Sequence, residues 1–304
     1  YDKNKYIRFI RSFMIPIKLR KKIVEGDVLK TNQLLGSWIA ILSKLKYTKP
    51  LIVRTGYDLY SFSKMNKKRY FKQLFYYLLT RISLKYSDIY LVTSKADKEK
   101  LKEMSIKNYY KVKIRPNWMR IQETNVFNKR YKNKVISVGR IEEQKNFFEL
   151  IDGLKNTNIE IDIYGEGSQK NKLIEYANKQ KVNLKINSPV PNDVLIKKIQ
   201  DYKIFISSSK FEGNPKSILE AMAAGCVVIA KKSENISELI QNSENGLLYE
   251  EPKIIENLLS IYLNNEKDWS NISINAVRHI KNLNGIEEIA ENEISDYEAL
   301  NISN

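Results

Sequence analysis

The chain has 304 residues, 42% hydrophobic and 29% charged, more than one core readily organises, so two soluble domains are expected. One cysteine, Cys226, and one histidine, His279, exclude a disulfide framework, a Cys/His zinc site and any Ser-His-Asp set beyond what His279 alone serves. Residues 1–130 hold 31 Lys and Arg against 9 Asp and Glu, a net of +22, while residues 131–304 hold 21 against 26, so the first half suits an anionic partner: a phospholipid surface, a phosphorylated acceptor or nucleic acid.

In chain order, residues 1–5 are charged and lead into no signal-like apolar stretch. The chain opens on Tyr1 rather than Met, so an amino-terminally truncated fragment is expected. Next, Arg8, Arg11, Lys18, Arg20, Lys21 and Lys22 interleave with Phe9, Ile10, Phe13, Met14, Ile15 and Ile17. That is the composition of an interfacial segment, broken at Pro16; a core helix with solvated cations is the other reading. Residues 27–31 lead into an apolar helix over 34–45. A strand is predicted at 51–53, a helix at 72–85, a strand at 89–93 and a helix at 98–104. The aromatics Tyr70, Phe71, Phe75, Tyr76 and Tyr77 stand at helical spacing and are assigned to core. Only about three strands are visible in this half, and the polar stretch 117–133 reads as a linker. No apolar run, including 34–42 and 74–79, reaches the roughly 18–20 residues of a membrane span.

From residue 134 the pattern becomes regular. Strands are predicted at 134–138, 159–164, 182–186, 203–207, 226–230 and 247–249. Helices are predicted at 147–154, 169–179, 192–200, 215–224, 236–241, 254–263 and 268–281, with a last one near 286–300. Strands alternating with helices of this length make βαβ units and a parallel, doubly wound sheet. Cys226 opens an apolar run and reads as a buried thiol in a reducing cytoplasm.

The segment 211–225, Phe-Glu-Gly-Asn-Pro-Lys-Ser-Ile-Leu-Glu-Ala-Met-Ala-Ala-Gly, carries the most chemistry. Asn214 is placed as the N-cap, Pro215 at the first helical position and Gly225 at the left-handed end. Ile218, Leu219, Met222 and Ala223 form the face that packs down. A helix start after a strand's carboxyl end offers free amides and a positive dipole to a diphosphate. Glu212 and Glu220 flank that start, either as acceptors for hydroxyls of a sugar and a ribose or as solvated charges on an ordinary connection.

This stretch resembles the Glu-x7-Glu signature of the GT-B glycosyltransferases of family 4. Here the signature stands as Glu212-Gly213-Asn214-Pro215 and Leu219-Glu220-Ala221-Met222-Ala223-Ala224-Gly225. Val138-Gly139-Arg140-Ile141 with Gln144-Lys145-Asn146 resembles the family's segment whose Arg and Lys grip the donor diphosphate. Gly165-Glu166-Gly167 resembles its glycine turn, Val190-Pro191 its base-contacting loop, and Asn245-Gly246-Leu247-Leu248 its last strand. Asp27-Val28-Leu29 and Arg115-Pro116-Asn117 match more loosely. Two departures stand out: Arg54, Thr55 or Tyr57-Asp58 occupy the place of the family's reaction-centre His, and the Gly-rich first loop has no counterpart. His279, late in a carboxyl-terminal helix, is assigned to the surface.

The resemblance implies an α/β GT-B fold of two facing Rossmann-like domains, the amino-terminal one incomplete. The expected division is an acceptor-side domain at 1–117, a donor domain at 118–285 and a returning helix at 286–304. It implies a retaining transfer from a nucleoside-diphosphate sugar, the co-substrate, to a saccharide or lipid-linked acceptor in cell-surface polysaccharide or lipopolysaccharide synthesis. No cofactor and no metal are implied. Glu212, Arg140 and Lys145 are the implied catalytic residues; Glu220, Gly213, Asn214, Pro215, Lys216, Ser217, Gly165 and Val190 are the implied donor contacts. The protein is expected in the cytoplasm, peripheral on an anionic inner membrane face, and not on nucleic acid. A non-catalytic sugar-nucleotide binder and a nucleic-acid binder are the alternative readings.

Overall fold

The computed structural model describes residues 4–56, 58–65, 69–104, 106–121 and 124–301. The chain divides into two compact units, Tyr1–Pro116 with Ile289–Asn304, and Asn117–Glu288.

The first unit carries four parallel strands: β1 (Leu29–Thr31), β2 (Leu51–Arg54), β3 (Ile89–Val92) and β4 (Val112–Ile114). They are hydrogen-bonded in chain order, β1-β2-β3-β4. β3 and residues 51–53 of β2 are apolar because both faces are covered, while Arg54 ends β2 half-buried. Leu51, Val53, Tyr90 and Val92 point into one core with Ile41 and Leu84. Ile52, Ile89 and Leu91 point the other way and meet Leu300 and Tyr297 of the last helix, Ile286–Asn301. That helix is also pinned by charge. Glu293 pairs with Lys30 at 2.8 Å and Arg54 at 2.9 Å, and Asp296, 1% exposed, pairs with Lys113 and Arg115, each at 2.8 Å.

Three expectations change here. β4 is a fourth strand, too short and too basic (Val-Lys-Ile) to stand out by pattern. The helix Leu59–Met65 is also additional; Asp58 caps its start, accepting from the Tyr60 and Ser61 amides. The aromatics of the helix Tyr70–Tyr86 are not all core. Tyr70 and Phe71 are 72% and 82% exposed, Phe75 is exposed, and the residues that pack inward are Leu79, Thr80, Ser83 and Leu84.

The second unit carries six parallel strands: β5 (Tyr131–Val138), β6 (Glu160–Tyr164), β7 (Leu184–Asn187), β8 (Tyr202–Ser207), β9 (Val227–Lys231) and β10 (Leu247–Tyr249). Their order is β10-β9-β8-β5-β6-β7. Counted from β5 this is the 3-2-1-4-5-6 order of a doubly wound nucleotide-binding sheet, with its reversal between β5 and β8. Two apolar layers cover it, one around Ile151, Ile163, Ile206 and Tyr262, the other around Ile136, Phe205, Ile218 and Met222. Cys226 is fully buried, and burial pushes its thiol up to about 12.

The described residues of 117–133 are not a free linker. Met119 and Phe127 are buried, and Met119 bridges to Gly285. Arg130 lies buried and donates to the carbonyls of Asn125, Tyr202 and Gly225. Burying two apolar side chains and closing these carbonyls outweighs the freedom a polar stretch would otherwise keep.

Candidate active site

Open α/β sheets leave a crevice at the carboxyl ends of the strands where their order reverses. Here the loops after β5 and β8 meet at that point. The Lys210 amide donates to the Gln144 carbonyl at 2.9 Å, Ser208 Oγ to the Lys145 carbonyl at 2.9 Å, and Gln144 Nε2 to the Phe211 carbonyl at 3.3 Å. These bonds bring Lys145 Nζ to 2.5 Å from Glu212 Oε1. Both side chains are mostly buried, at 18% and 12% exposed, so the charge-assisted bond is shielded from water. Among the described residues no ion pair or hydrogen bond engages Glu212 Oε2.

A third loop, after β6, is drawn onto the first. The amide of Gly139 donates to Tyr164 and that of Ile141 to Glu166, while Gln169 donates back to Ile141. Glu142 accepts from both the amide and the hydroxyl of Ser168 at 2.8 Å. These contacts hold its carboxyl below the usual glutamate range, the backbone bond foremost. The glycines make the approach possible. A Cβ on Gly165 would sit 1.9 Å from the Gly139 carbonyl oxygen, and one on Gly167 would sit 2.3 Å from that of Ile141. Gly139 holds φ +153°, and a Cβ there would meet the Lys145 stem at 2.7 Å. So Gly165 and Gly167 are sites of backbone contact, and Gly139 is where the Lys145 side chain runs across the main chain towards Glu212.

The helix expected after Asn214 is Lys216–Ala223. Its N-cap is Pro215, without a side-chain cap, not Asn214. Asn214 is held instead by Asn117: its Oδ1 accepts the Asn117 amide at 3.0 Å, and its carbonyl accepts Asn117 Nδ2 at 2.9 Å. Two bonds to one partner outcompete a single cap bond. Gly213 is tied through its carbonyl to Asn235 Nδ2 at 3.0 Å. The first amides to bond back are Ile218 and Leu219, both to Pro215, so those of Lys216 and Ser217 lie ahead of the helical ladder at its positive end. At the other end Gly225 takes φ +73°. Its amide bonds Met222 and that of Cys226 bonds Ala221, the Schellman closure.

Glu220, 5% exposed, accepts on Oε1 from Asn192 Nδ2 at 2.7 Å and pairs there with Lys216 at 3.6 Å. Val190, two residues before Asn192, packs half-buried against the apolar layer under this helix. Arg140 is exposed, and its guanidinium makes no hydrogen bond or ion pair among the described residues. The structure thus joins Lys145 with Glu212, and Glu220 with Lys216, and lines both with the 213–217 turn. Pattern reading missed Gln144, Ser208, Asn192 and Asn235, which position the others; their partners lie between 22 and 67 residues away in sequence, so no local signal marks them.

The residues offered in place of the family's His are otherwise engaged. Arg54 is held by Glu293 and donates to the carbonyls of Arg115 and Pro116. Thr55 is buried, and its amide bonds to the Leu91 carbonyl. Asp58 caps a helix, and Tyr57 lies outside the described residues. His279 is half-buried rather than on the surface. Its Nε2 has no hydrogen-bond partner, and burial lowers its pKa. Among the described residues no group of three or more His, Cys, Asp or Glu is placed to hold a metal, and no helix is long and apolar enough to cross a membrane. An open hollow of about 530 Å³ lined by Asn125, Lys129, Tyr131 and Asp201 lies at the amino ends of β5 and β8, the opposite end from this cluster.

Residues 120–279 match the family of glycosyl transferases group 1. An uncharacterized glycosyltransferase of Methanocaldococcus jannaschii is 30% identical over 164 residues, covering 48% of this chain and 40% of that protein. The capsular polysaccharide biosynthesis glycosyltransferase CapH of Staphylococcus aureus is 31% identical over 135 residues, covering 41% of this chain and 38% of its own length. The chain therefore spans less than half of each of these relatives. The crystal structure of Anabaena HepE in complex with UDP superposes with a TM-score of 0.80 at 14% identity, over 94% of this chain and 82% of that one, which shows a shared GT-B fold. With the family match spanning more than half of its length, and a doubly wound sheet beneath it, the chain belongs to the glycosyl transferases group 1 family.

Proposed function

We propose that this chain transfers a sugar, with retention of configuration, from a nucleoside-diphosphate sugar to a saccharide or lipid-linked acceptor in cell-surface polysaccharide synthesis, as a family 4 enzyme of the Glu-x7-Glu type. The observation that carries this reading is the shielded Lys145–Glu212 pair at the switch point, beside the leading amides of Lys216 and Ser217. A lysine ammonium has three donors, so Lys145 can keep Glu212 and still meet a phosphate oxygen. Arg140, exposed and without an ion pair among the described residues, supplies the second cation, and the amides supply the dipole. Glu220, with Oε1 already fixed, turns Oε2 to the ribose hydroxyls. Glu212 Oε2 accepts from the sugar to be moved, and Val190 borders the base.

In this reading the bond between the anomeric carbon and the diphosphate oxygen breaks while the acceptor oxygen bonds on the same face. The acceptor's proton passes to the departing diphosphate. Arg140, Lys145 and the amides offset the charge that grows there, which is the main catalytic contribution. The UDP in the HepE complex and the capsular polysaccharide role in the name of CapH support a uridine donor and a surface-glycan product. One oxygen of each carboxylate is taken, Glu212 Oε1 by Lys145 and Glu220 Oε1 by Asn192 and Lys216, which favours neutralisation of the diphosphate by the chain's own cations and amides. Calorimetric titration with UDP, GDP and their sugars tests the site. NMR of the product's anomeric proton tests retention, and an inverted product defeats that part of the proposal.

A non-catalytic sugar-nucleotide binder is the second reading, favoured by the engagement of Arg54, Thr55 and Asp58 within the first unit. It predicts nucleotide binding with neither donor hydrolysis nor transfer.

A further inference from the structure

We propose that the first unit docks on an anionic lipid bilayer through an aromatic face formed by the helix Tyr70–Tyr86 and the broken helical segment at residues 5–25. The 70–86 helix has two unlike faces. Inward it presents Leu79, Thr80, Ser83 and Leu84, and Ser83 spends its hydroxyl on Ser37 at 2.9 Å. Outward it presents Phe71, Phe75, Leu78 and Ile82, at intervals of four, three and four residues, the spacing of one continuous stripe. All four are exposed, Phe71 at 82%. A water-facing stripe more apolar than the packed one is the reverse of what a soluble helix needs, and such patches mark contact surfaces.

The stripe does not stand alone. Trp38 connects it to the amino-terminal segment, with ring centroids 6.4 Å from Phe75 and 5.2 Å from Phe9, and Phe9 is 5.3 Å from Phe13. The Trp38 indole is anchored by Ser12 Oγ at 2.8 Å. The segment itself runs as helices Lys5–Ser12, Ile15–Lys18 and Arg20–Glu25, with Pro16 at the second start. Ile10, Phe13, Met14, Ile17 and Leu19 are exposed along it.

Charge chooses the occupant. Residues 5–25 contain seven Lys and Arg against one acid, Glu25, and the helix Tyr70–Tyr86 adds Lys72, Arg81 and Lys85 without an acid. An apolar strip bordered by ten cations and one acid fits acyl chains beneath anionic headgroups. Nucleobases could stack on Phe71 and Phe75 but not on Ile10, Met14, Ile17, Leu78 and Ile82, exposed beside them; acyl chains take both kinds of side chain, which favours lipid over nucleic acid. This docking is separate from the donor site, and its test reads binding alone.

Co-sedimentation of the whole chain with phosphatidylcholine vesicles, with and without phosphatidylserine, decides the matter. Binding should require phosphatidylserine and fall with salt. Replacing two exposed side chains, Phe71→Ser with Leu78→Ser, should weaken partitioning about a hundredfold while leaving the thermal midpoint in place. Reversing Arg20, Lys21 and Lys22 to Glu should weaken it as well, whereas Ile274→Ser, an exposed change in the second unit, should not. The proposal is overturned if the chain ignores anionic vesicles at low salt, or if the Phe71/Leu78 variant binds them as the parent does. It is equally overturned if the face proves to hold DNA, or a second copy by sedimentation velocity, in place of vesicles.

Discussion

The two sheets of this chain are built from the same βαβ unit and differ in one topological respect. In the second, strand order reverses between β5 and β8, so neighbouring loops splay at the carboxyl ends and leave room for Lys145, Glu212 and the start of the Lys216–Ala223 helix. In the first, β1 to β4 follow chain order without reversal. Lys30, Arg54, Lys113 and Arg115 there are engaged by Glu293 and Asp296 of the chain's own last helix. In the second unit's loops Lys145 pairs with Glu212 near the exposed Arg140, whereas these cations of the first unit close its fold.

That contrast is broken most forcefully at Asp296. Its carboxylate is 1% exposed and takes Arg115 Nε and Nη2 at 2.8 and 2.9 Å together with Lys113. Asp296→Ala leaves clustered cations over a half-buried sheet and should cost about 3–5 kcal/mol. Urea unfolding followed by hydrogen exchange should show the loss in the first unit while UDP affinity persists. A variant as stable as the parent would show that this ion cluster does not hold the helix.

On the other side of the comparison, Lys145→Ala should weaken UDP binding by about 3 kcal/mol, because it removes a phosphate contact and leaves the Glu212 charge facing the phosphate. Arg140→Ala, which strands no partner, should cost about 1.5 kcal/mol. Calorimetry on both variants checks the ranking. If neither loses affinity, the ligand-facing role of these cations is wrong.

The two carboxylates sharpen the picture further. Glu220→Ala should reduce UDP affinity by about 1.5 kcal/mol through lost ribose contacts. Glu212→Ala should spare most of that affinity and lower the transfer rate instead. Titration with UDP and a turnover assay separate the two; equal losses of affinity would contradict the assignment.

Much of this was readable beforehand, and the limits have physical causes. The buried stretches of β5 (135–137) and β6 (161–163), together with β8, β9 and β10, are rich in β-branched and apolar residues, which a parallel sheet makes conspicuous, and the Gly225 stop needs no knowledge of the fold. β4 escaped because three residues with a central lysine carry no period. The Asn214 cap was misplaced because Asn117, 97 residues away, competes for the same oxygen and carbonyl. In the helix Tyr70–Tyr86 the spacing was legible but its direction was not. Periodicity reveals that a helix has an apolar face, not whether protein covers it. The glycine turn at Gly165 was visible, while its reason, a carbonyl of another loop within 1.9 Å of a would-be Cβ, exists only in three dimensions.

The smallest effect is expected where the second unit uses a carboxylate as the first unit uses Asp296, but in water. Glu142 clips the loop after β5 to the loop after β6 through Ser168, and it is solvent-exposed on its side of the bond, so its contribution is screened. The bonds from the Ser168 amide, then its hydroxyl, lower the carboxyl pKa, with Arg140 adding a lesser pull. A pKa lower in the folded chain means that the unfolded chain takes up the proton first. The stabilisation is therefore complete above the ordinary glutamate range and is lost as pH falls through the lowered value. Glu142→Gln should leave the thermal midpoint slightly reduced at neutral pH and flatten its decline on acidification, since the variant has no proton to gain. Thermal melts of parent and variant from neutral to acidic pH measure this directly. Parallel pH profiles would show that the clip contributes nothing through its charge, and that Gly165 and Gly167 hold the two loops together unaided.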